Sequence, residues 1–265
     1  MGVVPELDDA SWGASDVVAN FATDGYTDAG EAAALAAVRQ QARGDVLDIG
    51  VGGGRTVGLL GPRARSYVGL DISAEMLDLA RERFPDADLR EGDAVDLAGI
   101  PDGAFDLVVF SYNGLDALDH TARGSALRSM ARVTRPGGRV LFSSLNLDGV
   151  SFDEHPLHVA GGPWSPRFRF HLAQTVRHPG TMVRSVVNFR RTRNEAEDGP
   201  GWGMRPLRAH EFRFVVHFAT LGETVSELHG AGLDVLAAYA DDGTALDPGA
   251  AHTNADYVHF VCVRS

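Results

Sequence analysis

The chain has one cysteine, Cys262, in 265 residues. It cannot pair within the chain, so no disulfide framework holds the fold. It lies in an apolar run near the C-terminus and reads as a small core hydrophobe, which suits a reducing compartment. Basic residues are scarce as well: 24 Lys plus Arg stand against 36 Asp plus Glu, a net charge of −12. Phosphate binding needs clustered cations, so no nucleic-acid partner is expected. Arginines gather only between Arg184 and Arg193, and these read as a solvated strand face. No apolar run approaches the length that spans a bilayer, so no membrane partner is expected. The N-terminus carries Glu6, Asp8 and Asp9 without an apolar core, which is no signal peptide, and a cytoplasmic location is expected. Repeats and low-complexity tracts are absent. No Gly-Lys-Ser or Gly-Lys-Thr follows a glycine loop, which excludes a P-loop.

What is present is a glycine loop. Val46-Leu47-Asp48-Ile49 is a short apolar run containing an acid, and Gly50, Gly52 and Gly54 follow at alternate positions before Arg55. A buried parallel strand entering a tight turn and a helix reads this way. Bare backbone at these glycines leaves room for a ligand, at the strand end where open α/β sheets bind nucleotides. A second run, Tyr67-Val68-Gly69-Leu70, ends in Asp71, about twenty residues on, where an acid reaches a ribose hydroxyl. Ala87 to Asp93 ends in another acid. Phe105 to Phe110 leads into Ser111-Tyr112-Asn113-Gly114, and Arg135-Pro136-Gly137-Gly138 precedes a fifth run. Helices are expected at 29–41, closed by Gly44, and from Ser73, a plausible N-cap, to about Phe84. The alternation of strand and helix is the doubly wound pattern.

On these residues the chain resembles the class I S-adenosylmethionine-dependent methyltransferases. The matching motifs are Asp48 to Gly54, Gly69-Leu70-Asp71-Ile72-Ser73, Gly92-Asp93-Ala94, Phe105-Asp106-Leu107-Val108 and Arg135 to Gly138. The resemblance covers residues 30 to 146 well and the last two strands more loosely. It implies a Rossmann-like doubly wound sheet of seven strands, mostly parallel with an antiparallel last strand. The cofactor would be S-adenosylmethionine, leaving S-adenosylhomocysteine. The glycine loop, with Arg55 beside it, would carry the amino-acid tail and the sugar by backbone approach. Asp48 would hold the tail ammonium, and Asp71 would accept both ribose hydroxyls because a carboxylate suits two donors presented together. Ile72 and Met76 would cover an adenine face, although Met76 reads equally as helix core. Asp93 takes the family's position for the adenine amino group, with the Ala94 amide beside it. Ser111, Tyr112 and Asn113 would lie beside the methyl group. Tyr26 would fold over the cofactor or anchor the first helix. Asp106 reads as a residue that caps or orients its strand.

A nicotinamide cofactor fits less well. Its fingerprint is Gly-x-Gly-x-x-Gly, and the third glycine here comes one residue early. Asp48 would also sit badly against a pyrophosphate.

Residues 1–44 read as an N-terminal segment and helix covering the cofactor site. Residues 45–146 and 221–265 read as the core. Between them, residues 147–220 break the rhythm and are expected to form an antiparallel β insertion that roofs the acceptor, with Met182 to Val187 as one strand. All ten histidines except His120 fall after residue 150. His210 and His217, near the alternating segment Phe212 to Phe218, and Tyr112 are the candidates for a catalytic base. His155-Pro156-Leu157-His158 has the wrong spacing for helical ligation, and no metal is expected. The fourth-strand loop lacks the Asn/Asp-Pro-Pro-aromatic tetrad of enzymes that methylate base amines or glutamine amides. Trp164, Trp202 and the Phe-rich insertion favour a small apolar or aromatic acceptor, as in secondary metabolism. Two rivals stay open: a non-methylating step such as cyclisation on the same fold and cofactor, and a non-catalytic partner subunit. Extended insertion strands would allow pairing into a homodimer.

Overall fold

A computed structural model describes residues 27–157 and 179–265. Tyr26, His158 and Trp164, singled out in the sequence, lie outside the described residues, as does most of the N-terminal segment. The described chain begins with helix α1 (Ala29–Ala37), whose N-cap Asp28 accepts from the Glu31 amide at 2.7 Å. Strand β1 (Asp45–Ile49), helix α2 (Arg55–Leu60), β2 (Ser66–Asp71), α3 (Ala74–Arg83), β3 (Asp88–Glu91), β4 (Phe105–Phe110), α4 (His120–Val133) and β5 (Thr134–Leu145) follow. Helix α5 (Pro179–Thr192) precedes strands β6 (Glu197–Gly199), β7 (Trp202–Pro206) and β8 (Val215–Ala219). Helix α6 (Leu221–Gly230), β9 (Leu233–Ala240), β10 (Ala245–Leu246) and β11 (Tyr257–Arg264) close the chain.

The main sheet has the order β3-β2-β1-β4-β5-β11-β9-β10. Strands β1 to β5 pair in parallel, and β11 runs antiparallel between β5 and β9. The seven expected strands are thus present, and the two-residue β10 adds an eighth at the β9 edge. Strand order reverses between β1 and β4, so a crevice opens at their carboxyl ends.

Alternation along the strands divides the core. Leu47, Ile49, Val108, Phe110, Val140 and Phe142 pack against Leu127 and Met130 of α4 and Leu228 of α6. Val46, Leu107, Val109 and Leu141 face the other way, onto Ala34 and Val38 of α1 and onto Leu60. Both faces being covered explains why these strands read as continuous apolar runs. Asp48 falls on the α1 face by the same alternation, beneath the α2 turn.

Asp106 sits at the opposite end from the crevice. It accepts from the Asp45 amide at 2.8 Å and pairs with Arg135 at 2.6 Å. It ties the amino ends of β1 and β4 to the turn before β5, so its role is to orient strands.

The insertion departs from expectation in one segment. Met182 to Val187 is helical, part of α5, and not a strand. Its inward positions are Met182, Ser185, Val186, Phe189 and Thr192, with a spacing of three and four. The tempting local alternation is overridden by that longer period. Phe189 meets Phe212 edge-on at 5.4 Å, and Asn188 donates to the Glu211 carbonyl at 3.0 Å. Arg184, Arg190 and Arg191 therefore ride on a helix, and Arg193 follows in a 3-10 turn. Strands β6, β7 and β8 do form an antiparallel sheet. An Asn146–Ala219 bridge joins β8 to the end of β5. No helix among the described residues is long and apolar enough to cross a membrane.

Every basic side chain besides histidine is an arginine, and the most buried of them ties the sheet ends together. Arg123 of α4, fully buried, donates to Asp116 at 2.6 Å, to Glu227 of α6 at 3.0 Å and to Ser144 of β5 at 3.1 Å. Asp116, also fully buried, accepts from the Leu145 amide at 2.8 Å. Burial pushes the Asp116 carboxyl up, and Arg123 and the Leu145 amide pull it back.

Candidate active site

Three turns meet at the crevice. The first is the glycine loop, where Gly50, Gly52 and Gly54 have φ of 65°, 51° and 88°. The three glycines differ in purpose. A Cβ at Gly50 would strike Phe110 at 2.7 Å, and one at Gly54 would strike Phe84 at 2.8 Å. At Gly52 a Cβ would meet nothing within 4 Å. Two glycines therefore serve internal packing and backbone geometry, and the third presents bare backbone to open space.

The second turn holds Asp71 at the end of β2. Its Oδ2 accepts from the Gly52 amide at 2.7 Å and its Oδ1 from the Ser73 amide at 2.9 Å. Both bonds fix the carboxylate beside the open face of Gly52. A carboxylate offers about four lone-pair sites, so these two amides do not exhaust it. Ile72 next to it is 51 % exposed, an apolar surface at the crevice edge. Met76 is buried at 2 %, on the inner face of α3. Asp93 is exposed and accepts from the Val95 amide at 2.8 Å, a local turn after Gly92. Ala94 packs into the core.

The third turn follows β4. Tyr112 and Asn113 have φ of 54° and 62°, two successive left-handed residues without glycine. Such strain costs on the order of 1–3 kcal/mol per residue and collects at ligand sites. The Asn113 side-chain oxygen is buried without a hydrogen-bond partner. So is Oδ1 of Asp48, which is fully buried, while its Oδ2 accepts from the Tyr67 hydroxyl at 2.6 Å. Burial pushes the Asp48 carboxyl up to about 6, against the Thr56 and Tyr67 hydroxyls and the charge of Arg55.

Glu31 of α1 lies under these turns, at 1 % exposure. It receives Arg55 through two bonds of 2.8 Å, and Arg55 also reaches the Ser111 hydroxyl at 2.8 Å. Ser111 donates to Glu31 in turn. The Arg55 guanidinium lies 4.2 Å from the centroid of the Tyr112 ring. This places Arg55, Ser111 and Tyr112 in one cluster and adds Glu31. No motif surrounds Glu31 in the sequence, and only its first-turn position in a capped helix sets it apart.

Residues 46–138 match the family model described as a methyltransferase domain. Over that stretch the chain is similar to a methyltransferase domain. A demethylmenaquinone methyltransferase of Renibacterium salmoninarum is 31 % identical over 143 residues, 54 % of this chain and 53 % of that protein. A ubiquinone biosynthesis O-methyltransferase of Alkalilimnicola ehrlichii is 32 % identical over 112 residues, 40 % of this chain and 44 % of that protein. The chain thus spans about half the length of the curated relatives it matches. In fold, the chain is like the S-adenosylmethionine-dependent methyltransferase of Mesorhizobium loti, with a TM-score of 0.55, 18 % identity and coverage of 88 % of this chain and 98 % of that one. The class I fold is therefore established, with its last strand antiparallel as expected.

The crevice suits S-adenosylmethionine, the cofactor that the resemblance implies. The tail ammonium of S-adenosylmethionine needs acceptors, and Asp48 Oδ1 and Asn113 are buried acceptors without donors. The ribose diol needs two acceptors together, and Asp71 is held rigid beside open backbone.

On the acceptor side the two histidine candidates part company. His210 sits in a single 3-10 turn, Arg208–His210, with its ring 4.6 Å from that of Phe214. Burial, then Arg213, pushes it down to about 4. His217 lies on β8, fully buried, with Nε2 3.1 Å from Nδ1 of His120. Burial pushes His217 well below the ordinary histidine value, with Arg123 and His120 adding to the effect. Both rings are neutral at pH 7 and take up a proton reluctantly. His120 is the more open of the pair, and its ring stacks on Trp202 at 4.2 Å and 5°. Tyr112 faces Tyr257 with ring centroids 6.3 Å apart, and the Tyr257 hydroxyl donates to Ser143 at 2.8 Å. His120 follows the fourth-strand turn in sequence, which hinted at its place; its pairing with His217 across 97 positions had no local signal.

Proposed function

We propose that the chain transfers a methyl group from S-adenosylmethionine to an oxygen, nitrogen or carbon of a small apolar or aromatic molecule. The observation that carries this reading is the juxtaposition of Asp71 with the open backbone of Gly52, above two buried acceptors that lack donors. When bound, the cofactor supplies a methyl group on an electrophilic sulfonium. The chain's own part is to hold ribose at Asp71 and the tail at Asp48 and Asn113. The Arg55–Glu31 pair braces the Ser111–Tyr112 turn beside the reacting centre. Displacement in line then depends on alignment more than on a strong base. The two relatives' names, demethylmenaquinone methyltransferase and ubiquinone biosynthesis O-methyltransferase, support an aromatic ring acceptor. Tyr112, Tyr257 and Trp202 offer aromatic faces that suit one.

The test is an acceptor screen with phenols and quinols, read by mass spectrometry. The reading expects a product heavier by one methyl and an equal amount of S-adenosylhomocysteine. Product of unchanged carbon count, with the cofactor intact after turnover, would make the chain an enzyme of another reaction.

Cofactor affinity should depend on pH through Asp48. Its carboxyl, raised to about 6, loses its charge as pH falls through that value and with it the pull on the ammonium. Affinity should then drop by up to about tenfold per pH unit below 6. Asp48→Asn should be weaker than the parent above pH 6 and flat across this range, measured by calorimetry. Stability runs the other way. A raised carboxyl pKa favours the folded state below the unfolded value of 3.8, and this stability is lost as pH rises to about 6. Asp48→Asn should therefore melt higher than the parent at pH 7.

A further inference from the structure

His120, His217 and Glu227 come from α4, β8 and α6, and the structure gathers one ligand atom from each within 4.8 Å of the others. His120 Nδ1 lies 3.1 Å from His217 Nε2 and 3.5 Å from Glu227 Oε1. From these contacts we infer that the three side chains form a binding site for one divalent transition-metal cation, Zn²⁺ fitting best.

Two ligands on a tetrahedral centre with bonds of about 2.0–2.1 Å stand roughly 3.3 Å apart, close to the 3.1 and 3.5 Å that separate His120 Nδ1 from the other two ligand atoms. The polar atoms themselves call for a cation. Glu227 Oε1 is buried and has no hydrogen-bond partner, on a side chain 9 % exposed. Its other oxygen accepts from Arg123 at 3.0 Å, which fixes the carboxylate and leaves Oε1 aimed at the histidines. Two imidazole nitrogens facing one another can share only one proton, and neither one serves Oε1 at hydrogen-bonding distance. The charges agree. Arg123 is shared between Asp116, at 2.6 Å, and Glu227, at 3.0 Å, so one cation faces two carboxylates. Two nitrogens and one oxygen favour Zn²⁺, Co²⁺ or Fe²⁺ over Mg²⁺ and Ca²⁺, which prefer all-oxygen sites. His120, with its side chain 36 % exposed, leaves one side open, as a site with a free coordination position requires. Trp202, stacked 4.2 Å from the His120 ring, holds that ring in its ligating orientation. The cluster adjoins the β4 turn, because β8 packs on the segment Leu115–Ala117 directly after Gly114. A cation there would stand at the acceptor side.

The test is a Co²⁺ titration of the full chain after treatment with a chelator, read by visible absorption. One equivalent should bind with the spectrum of a nitrogen–oxygen site, and one equivalent of Zn²⁺ should erase it. His120→Ala and Glu227→Gln should each lose the spectrum. Because Glu227 touches Arg123, circular dichroism checks that the variants fold; His120→Ala, at the more open position, carries the conclusion if Glu227→Gln does not fold. Zn²⁺ should also raise the melting temperature of the parent and leave that of His120→Ala unchanged. No Co²⁺ spectrum in the parent, or the same spectrum in His120→Ala, would overturn the proposal. S-adenosylmethionine binding is measured separately by calorimetry and does not depend on the outcome.

Discussion

Asp71→Ala is expected to remove binding of S-adenosylmethionine from a chain that still folds. The carboxylate is already positioned by the amides of Gly52 and Ser73, so its remaining lone pairs need no reorganisation to receive a diol. Hydrogen bonds to a charged group contribute about 1.5–3 kcal/mol each, and two lost together weaken binding by roughly a hundredfold or more. Alanine also releases the Gly52 and Ser73 amides, so part of the loss would come from a looser glycine loop. Asp71→Asn separates the two causes. It keeps an acceptor for one amide and the shape of the turn, but has no charge and one acceptor fewer. Calorimetry should show Asp71→Asn weakened and Asp71→Ala without detectable binding, with both melting curves cooperative. An Asp71→Ala variant that binds as tightly as the parent would remove Asp71 from the site.

The largest effect on stability is expected at Arg123. Its guanidinium is the shared partner of Asp116 and Glu227 and also reaches Ser144, all away from water. Removing one partner from a buried ionic network costs about 3–5 kcal/mol, because the opposite charges stay behind. Arg123→Ala would leave two such charges and a cavity at the meeting of α4, β5 and α6. In a domain of this size that corresponds to a fall in melting temperature of roughly 10 °C. Arg123→Met, which fills the volume, should recover part of the packing and none of the pairing. Calorimetric melts of both variants check this; a change below about 1 kcal/mol would mean that the two acids are neutral in the folded protein.

Much of the cofactor half could be read from the chain because its signals are local. The apolar run into Asp48, the glycines, and Asp71 about twenty residues on are each short segments whose backbone demands particular residues. The Ser73 cap follows from such a segment, and the antiparallel last strand from the resemblance that these segments carry. What escaped is long-range. Glu31 reaches Arg55 from a helix with no motif, and Arg123, a residue of ordinary surface type, is the polar centre of the core. Met182 to Val187 misled because six residues alternate well enough for a strand, while the helical period shows only over Met182 to Thr192. The histidines could be counted but not paired, since His120 and His217 meet only once β8 is laid against the β4 turn.

The account rests most directly on what the glycine loop and Asp71 hold. Calorimetric titration of the full chain with S-adenosylmethionine tests it. The expected result is a single saturable site, displaced by S-adenosylhomocysteine and untouched by NAD. No binding of S-adenosylmethionine, or tighter binding of the dinucleotide, would contradict the account.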